Sequence, residues 1–139
     1  MQITHQADYA IRTMVYLASQ DPHQKIATSQ IAKDYHIPPS FLTKIVSQLS
    51  IAGLLHTARG ARGGVSLARP ADEISMLDVI EAIDGPVLMN ECVADSHICA
   101  FKATCKMHQF WVETKEMVVG RLGGMTLATL ATTPQFALV

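Results

Sequence analysis

Apolar residues recur every three or four positions near the start of the chain and predict an amphipathic helix over residues 5–19. This spacing places them on one side of a helix, where they can be buried together. Thr4 stands just before this run, and threonine is a favoured N-cap residue. The apolar positions are Ala7, Ala10, Ile11, Met14, Leu17 and Ala18.

A short helix and a longer one follow, separated by a turn that contains two prolines. The short helix is expected over residues 29–35, with Thr28 as its N-cap. Residues before a proline avoid helical geometry, whereas proline suits the first position of a helix, so the longer helix should begin at Pro39. Two helices joined by a tight turn are typical of DNA-binding helix-turn-helix proteins.

The longer helix has one apolar stripe and one polar stripe. The apolar stripe, expected to be buried, is Leu42, Ile45, Val46 and Leu49. An ordinary solvated face would also be polar, but this one contains no acidic residue, which favours a surface that meets phosphates and bases. The predicted major-groove contacts are Ser40, Thr43, Lys44 and Gln48.

Two short strand-like runs, 54–59 and 65–68, flank a glycine-rich segment and predict a β-hairpin. A hairpin directly after a recognition helix is a wing, and its basic residues suit a minor groove or phosphates. The predicted wing contacts are Arg59, Arg62 and Gly63. The alternative is a glycine-rich loop whose arginines serve only solubility.

The remaining chain predicts two further helices around a cysteine-bearing loop. Ser75 and Asp78 form a capping-box pattern before a helix expected to bury Leu77, Ile80 and Ile83. A long amphipathic helix then covers about residues 107–124, and a second copy of the chain is its expected partner. The fold class is therefore mainly α: a winged helix-turn-helix domain (1–86), a cysteine loop (87–106), a long C-terminal dimerisation helix (107–124) and a C-terminal tail (125–139).

Charge is distributed unevenly between the two halves of the chain. Residues 1–70 carry seven Lys and Arg against three acids, whereas residues 71–139 carry four against nine. A basic first half and an acidic second half indicate that only the first half meets a polyanion such as double-stranded DNA.

All three cysteines, Cys92, Cys99 and Cys105, lie in one short segment that ends at His108. An odd number of thiols excludes complete internal disulfide pairing. The cysteines are separated by six and five residues. Zinc knuckles usually have shorter gaps, of about two to four residues, between their cysteines. Iron–sulfur clusters accept thiolates spread around a larger body. The spacing favours a cluster over zinc, a thiol redox switch or three inert buried cysteines.

Several other functional classes are disfavoured by the sequence. The chain begins without a secretory signal, and no apolar run approaches the ~18 residues of a membrane span. A cytoplasmic protein with reduced thiols and no membrane partner is expected. No set of nucleophile, base and orienting acid is apparent, so neither catalysis nor a small-molecule substrate is expected.

Five segments together resemble the bacterial winged-helix transcription regulators of the IscR and NsrR type, from Met1 to about Leu130. They are ITHQADYAIRTMVYLA, IPPSFLTKIVSQL, RGARGGVSLARP, ISMLDVIEAIDGP and the three-cysteine loop. The resemblance implies a homodimer crossed through the long helix. It also implies a 2Fe–2S or 4Fe–4S cluster that controls binding to operator DNA, expected to be palindromic.

The resemblance also implies ligands for the cluster. Cys92, Cys99 and Cys105 fall on the family's cluster thiolates. His108 falls on the fourth ligand of IscR-like members, and Asp8 matches the acid that in NsrR-like members reaches across from the other subunit. Such a regulator, expected to be a repressor, senses nitric oxide, redox stress or iron and cluster status. The alternatives are a cluster-free thiol-based redox regulator of the same fold and, more distantly, a Cys/His-dependent enzyme.

Overall fold

The computed structural model describes residues 1–94, 99–101 and 103–134. Residues 95–98 and 102 of the predicted cysteine loop and residues 135–139 of the predicted tail lie outside the described residues. The helices are α1 (His5–Ala18), α2 (Thr28–Asp34), α3 (Pro39–Ile51), α4 (Met76–Asp84), α5 (Glu91–Ala94), α6 (His108–Gly123) and α7 (Leu127–Thr132). The strands are β1 (Leu55–Ala58) and β2 (Gly64–Leu67), and a 3-10 turn spans Ala71–Glu73. The mainly helical, winged-helix prediction is confirmed.

The core lies where α1, α3 and α4 pack against one another. From α1 it takes Met14 and Leu17, as the helical spacing predicts. From α3 it takes Ile45 and Leu49, which are fully buried. Burying each such side chain contributes about 1.5–3 kcal/mol relative to leaving it in water, so these positions hold the three helices together.

The turn between α2 and α3 is tight and ends at Pro39, which opens α3 as expected. His36 adopts a positive φ of 52°, and the buried Ile37 donates its N–H to the Ala32 carbonyl oxygen at 3.0 Å. The prediction of Thr28 as N-cap is wrong: α2 begins at Thr28, and the capping position is Ala27, without a side-chain hydrogen bond.

Backbone hydrogen bonds attach the wing to the segment just before α2. Strands β1 and β2 pair antiparallel, with Leu55 opposite Leu67. Val65 of β2 also exchanges hydrogen bonds of 2.8 and 2.9 Å with Ile26, just before α2. A Cβ at Gly64, where φ is +149°, would lie 2.5 Å from the Ile26 carbonyl oxygen, so only glycine permits this approach.

Helix α4 begins with the capping box that the sequence predicts. The Ser75 side chain accepts from the Asp78 N–H, and the Asp78 carboxylate accepts from the Ser75 N–H at 2.9 Å. The expected burial differs in detail: Ile80 is buried, but Leu77 and Ile83 are only half-buried, and Val79 is fully buried instead. The reason is that α4 packs between α1 and α3 and also contacts α6.

The segment after α6 returns to the domain core. The Met76 N–H donates to the Met125 carbonyl oxygen at 2.8 Å, and the Leu127 N–H donates to the Ile74 carbonyl oxygen at 2.9 Å. Leu127 is fully buried, and α7 contacts α1. The first part of the predicted C-terminal tail is therefore packed into the winged-helix domain.

Helix α6 lies against α4 and α5 and has no fully buried residue. Phe110 is 60% exposed and Met117 is 75% exposed. These two residues are seven positions apart and therefore lie on the same face of the helix. Within the described part of the chain, no helix is both long enough and apolar enough to cross a membrane.

Candidate functional site

The exposed face of α3 carries the side chains predicted to contact bases. Ser40, Thr43 and Lys44 are exposed. The Thr43 hydroxyl donates to the Pro39 carbonyl oxygen at 2.9 Å, so part of its hydrogen-bonding capacity is used inside the helix. Gln48 is half-buried, and its Oε1 is buried without a hydrogen-bond partner among the described residues.

Phe41, in the first turn of α3, is an exposed aromatic residue that the sequence analysis did not select. Its side chain is 43% exposed, and the Tyr9 ring of α1 meets it edge-on, with ring centroids 6.2 Å apart. Phe41, Lys44 and Gln48 follow i, i+3, i+7 spacing and lie along one edge of the exposed face. That spacing was visible in the sequence, but only polar positions were considered as contacts.

The wing places basic side chains beside α3. Arg59 and Arg62 are exposed at the hairpin. No salt bridge in the described part of the chain involves Lys44, Arg59 or Arg62. A Cβ at Gly63 would overlap the Ala58 carbonyl oxygen, so Gly63 is required by the turn itself. The unpaired cations can therefore meet the phosphates of an external polyanion.

A cleft of about 280 Å³ lies between the wing and the two helices of the helix-turn-helix. The residues that line it include three with hydroxyl groups, Thr28, Ser29 and Thr57, together with Val46 and Gly63. The wing therefore stands next to α2 and α3 rather than apart from them. Helix α3 reaches this cleft through Val46, a residue of its apolar stripe.

The three cysteines line one cavity of about 510 Å³. Cys92 lies in α5, and Cys99 and Cys105 lie between α5 and α6. All three are free thiols and half-buried. The remaining lining is mainly apolar and includes Trp111 of α6. The fold thus brings to one place three thiols that are spread over fourteen residues of sequence.

Two buried polar atoms near this cavity have no hydrogen-bond partner among the described residues: Oδ1 of Asn90 and Nδ1 of His108. Asn90 lines the cavity, and His108 directly follows the lining residue Met107. Buried polar groups are usually hydrogen-bonded, to the chain, to water or to a bound group. Three soft thiols in one cavity fit a bound inorganic group in kind.

The donors are not gathered around a single point. In residues 1–94, 99–101 and 103–134, no three His, Cys, Asp or Glu side chains are close enough to hold one metal ion. A tetrahedral zinc site requires such convergence.

The two candidates for a fourth ligand occupy different places. Asp8 lies in the first turn of α1, and its carboxylate pairs with Arg12 at 3.0 Å. Both side chains are about half exposed, so this ion pair contributes little stability. His108 is the first residue of α6. Neither residue lines the cysteine cavity within one chain.

Known proteins share both sequence and structure with this chain. A family model described as Rrf2, iron-dependent transcriptional regulator, matches residues 3–133. The structure of CymR, the global cysteine regulator of B. subtilis, is 27% identical, covers 95% of this chain and 97% of its own, and superposes with a TM-score of 0.76.

Two further solved structures superpose over nearly the whole chain. The oxidised form of CymR from Staphylococcus aureus is 27% identical, with 98% and 100% of the two chains covered and a TM-score of 0.75. IscR of T. potens is 22% identical, with 98% and 94% covered and a TM-score of 0.74. At that identity the likeness to IscR shows the shared fold alone.

Proposed function

Because the chain belongs to the Rrf2 family of transcriptional regulators, we propose that it is an operator-binding homodimer controlled by an iron–sulfur cluster on Cys92, Cys99 and Cys105. The observation that carries the cluster proposal is the single cavity of about 510 Å³ that these three thiols share. Repression is the expected mode of regulation. Transcriptional regulation itself follows from family membership, and the cluster and the dimer are the additional steps.

The thiolates supply the negative charge and soft sulfur ligands that iron–sulfur clusters require. The surface of the cavity is mainly apolar and includes Trp111, so the thiols are the soft ligands that it offers to such a group. Asn90 also lines the cavity, and His108 follows the lining residue Met107 in the sequence. When bound, the cluster supplies a redox-active and nitric-oxide-reactive centre, and the chain supplies its position next to α6.

DNA binding is assigned to the front surface formed by α3 and the wing. Lys44, Arg59 and Arg62 are exposed, and no salt bridge in the described part of the chain occupies them. Phosphate contacts from such cations fix the position of a protein on a duplex, and base contacts from the recognition helix provide specificity. Ser40 and Thr43 complete the predicted contacts in the major groove.

Dimerisation is assigned to the exposed face of α6. Phe110 and Met117 expose most of their apolar surface in a single chain. A two-fold interface uses the same patch on both copies, so these residues would meet their own counterparts. Two copies also suit an operator with two half-sites, since the spacing of half-sites follows from the symmetry of the protein.

For the fourth ligand we propose Asp8 of the other subunit, with His108 as the alternative. Asp8 stands at the start of the DNA-binding domain, whereas His108 belongs to the same segment as the thiols. Ligation by Asp8 would link cluster state to α1 and through α1 to α3, which it contacts. Such a differential contact is what any switch between two DNA affinities requires.

Anaerobic purification tests the cluster directly. The wild-type protein should be coloured and contain iron and acid-labile sulfide, and Cys92→Ala, Cys99→Ala and Cys105→Ala should each lose most of the chromophore with helical content unchanged. Thr104→Ala is the matched control, because Thr104 lines the same cavity but carries no thiol. Full iron and sulfide in all three cysteine variants would contradict the proposal.

The same preparation distinguishes the cluster-containing regulator from the second candidate, a thiol regulator of the same fold without a cluster. That candidate is favoured by three free, half-buried thiols and by the likeness to CymR, whose oxidised form has been solved. It predicts a colourless anaerobic protein whose DNA affinity changes on mild oxidation, with a matching loss of titratable thiols. A protein that contains iron and sulfide in amounts matching a cluster excludes it.

A further inference from the structure

We propose that Phe41 contacts the methyl group of a thymine in the major groove and is a specificity-determining residue of the recognition helix. This inference rests on the proposed DNA binding by α3. It adds an apolar contact to the polar ones predicted from the sequence. It also specifies the base concerned, since thymine alone presents a methyl group in that groove.

The exposure of Phe41 is the first reason. Leu42, Ile45 and Leu49 of α3 are almost completely buried, whereas Phe41 is 43% exposed; Ile51, the last residue of α3, is also exposed but lies at the opposite end of the helix. Residues in the N-terminal part of a recognition helix are the ones that reach base edges. Phe41 is the third residue of α3 and therefore occupies that part.

The support from α1 is the second reason. The rings of Tyr9 and Phe41 meet at an interplanar angle of 71°, an edge-to-face arrangement that aromatic pairs prefer. Tyr9 is half-buried and packs against the core, so it holds one side of the Phe41 ring in place. A ring that is already fixed loses little conformational freedom on binding, which favours a specific contact over a loose one.

The neighbours of Phe41 provide the third reason. Lys44 and Gln48 continue the same edge of α3 towards its C-terminus. Lysine donates to guanine or to phosphate, and glutamine pairs with adenine. An apolar side chain beside two such donors can distinguish thymine from cytosine, because both are pyrimidines but only thymine carries the methyl group.

Removal of the thymine methyl group provides the test. The operator is first selected from random duplexes with the cluster-loaded, full-length homodimer. Each thymine of that operator is then replaced by deoxyuridine, which lacks only the methyl group, and affinity is measured by fluorescence anisotropy. Burying one methyl group is worth about fourfold in affinity, so one thymine in each half-site should show a loss of about that size on replacement.

Variants of Phe41 identify the side chain responsible. Phe41→Ala should lose a similar factor on the thymine operator and should no longer respond to deoxyuridine at that position. Phe41→Leu should retain part of the response. Lys44→Ala, the control on the same edge of α3, should bind more weakly but keep the full response to deoxyuridine.

Two results would overturn the inference. One is that the affinity of the wild-type protein is insensitive to deoxyuridine at every position. This result does not require the Phe41→Ala variant to fold. The other is an equal loss for Phe41→Ala on both operators, as expected if Phe41 only supports α3 or lies under a second copy of the chain. A wild-type protein that selects no sequence would instead refute the proposed DNA binding itself.

Discussion

Met117→Glu is the sharpest test of the proposed dimer, because a substitution at this position should change association of the two chains without changing the folding of either one. Met117 is 75% exposed in a single chain, so the substitution should leave the fold of the monomer unchanged. Burying a methionine side chain is worth about 1.5–3 kcal/mol. In a two-fold interface the residue occurs twice, so at the lower end of that range loss of its apolar contact alone costs the dimer roughly 3 kcal/mol.

A loss of that size raises the dissociation constant by about two orders of magnitude. Two carboxylates facing each other in a desolvated interface add a further penalty. Sedimentation velocity at micromolar concentration should therefore show monomers, with a circular dichroism spectrum like that of the wild type. Met117→Leu, of similar size, and Glu116→Gln, on another side of α6, should remain dimeric. A Met117→Glu protein that stays fully dimeric would show that α6 does not form the interface through this face.

Three further predictions concern the DNA contacts, the fourth ligand and the C-terminal helix. Arg62→Ala should reduce the slope of log affinity against log salt concentration by about one if Arg62 contacts one phosphate. Lys44→Ala should weaken operator binding by ~1–3 kcal/mol and relax the preference at one base. Unchanged operator affinity in both variants would show that the docking surface is wrong. Asp8→Ala should alter the visible spectrum and uncouple DNA affinity from cluster state, and His108→Ala should change neither; the reverse pattern would assign His108. Leu127→Ala should lower the free energy of unfolding, measured in urea, by about 2–5 kcal/mol, since the side chain is fully buried; a loss below ~1 kcal/mol would mean that α7 is not part of the core.

Ligation of the cluster by Asp8 would change the charge pairing on α1. In the single chain, the Asp8 carboxylate is paired with the Arg12 guanidinium at 3.0 Å. If Asp8 serves as a ligand in the assembled regulator, Arg12 loses that partner and its charge becomes available to other groups. The exposed pair is weak, so its loss opposes ligation only slightly.

Much of the fold could be predicted from the sequence because its signals are local. Pro39 opens α3, Ser75 and Asp78 cap α4, and glycines at 63 and 64 shape the wing, as the residue types indicate. Each of these effects depends on dihedral preferences or on hydrogen bonds over three or four residues. The helical period in α1 likewise identified its buried face without knowledge of its partners.

Other features depended on contacts between distant segments. Helix α2 begins at Thr28, one residue earlier than predicted, directly after the extended segment in which Ile26 pairs with Val65 of the wing. The residues after α6 were assigned to a tail, but Leu127 fills the core beside α1. Composition in a window of a few residues cannot show which distant face will bury an apolar side chain.

For the candidate site, the sequence by itself determined the chemistry: three thiols, an adjacent histidine, an acid-free helix face and a glycine-rich wing. Only the tertiary structure placed the three thiols around one cavity, which Asn90 also lines. It also left Phe41 exposed against Tyr9, beside the polar stripe. The physical reason is that reactivity belongs to residue types, whereas burial and convergence arise from packing between elements far apart in the chain.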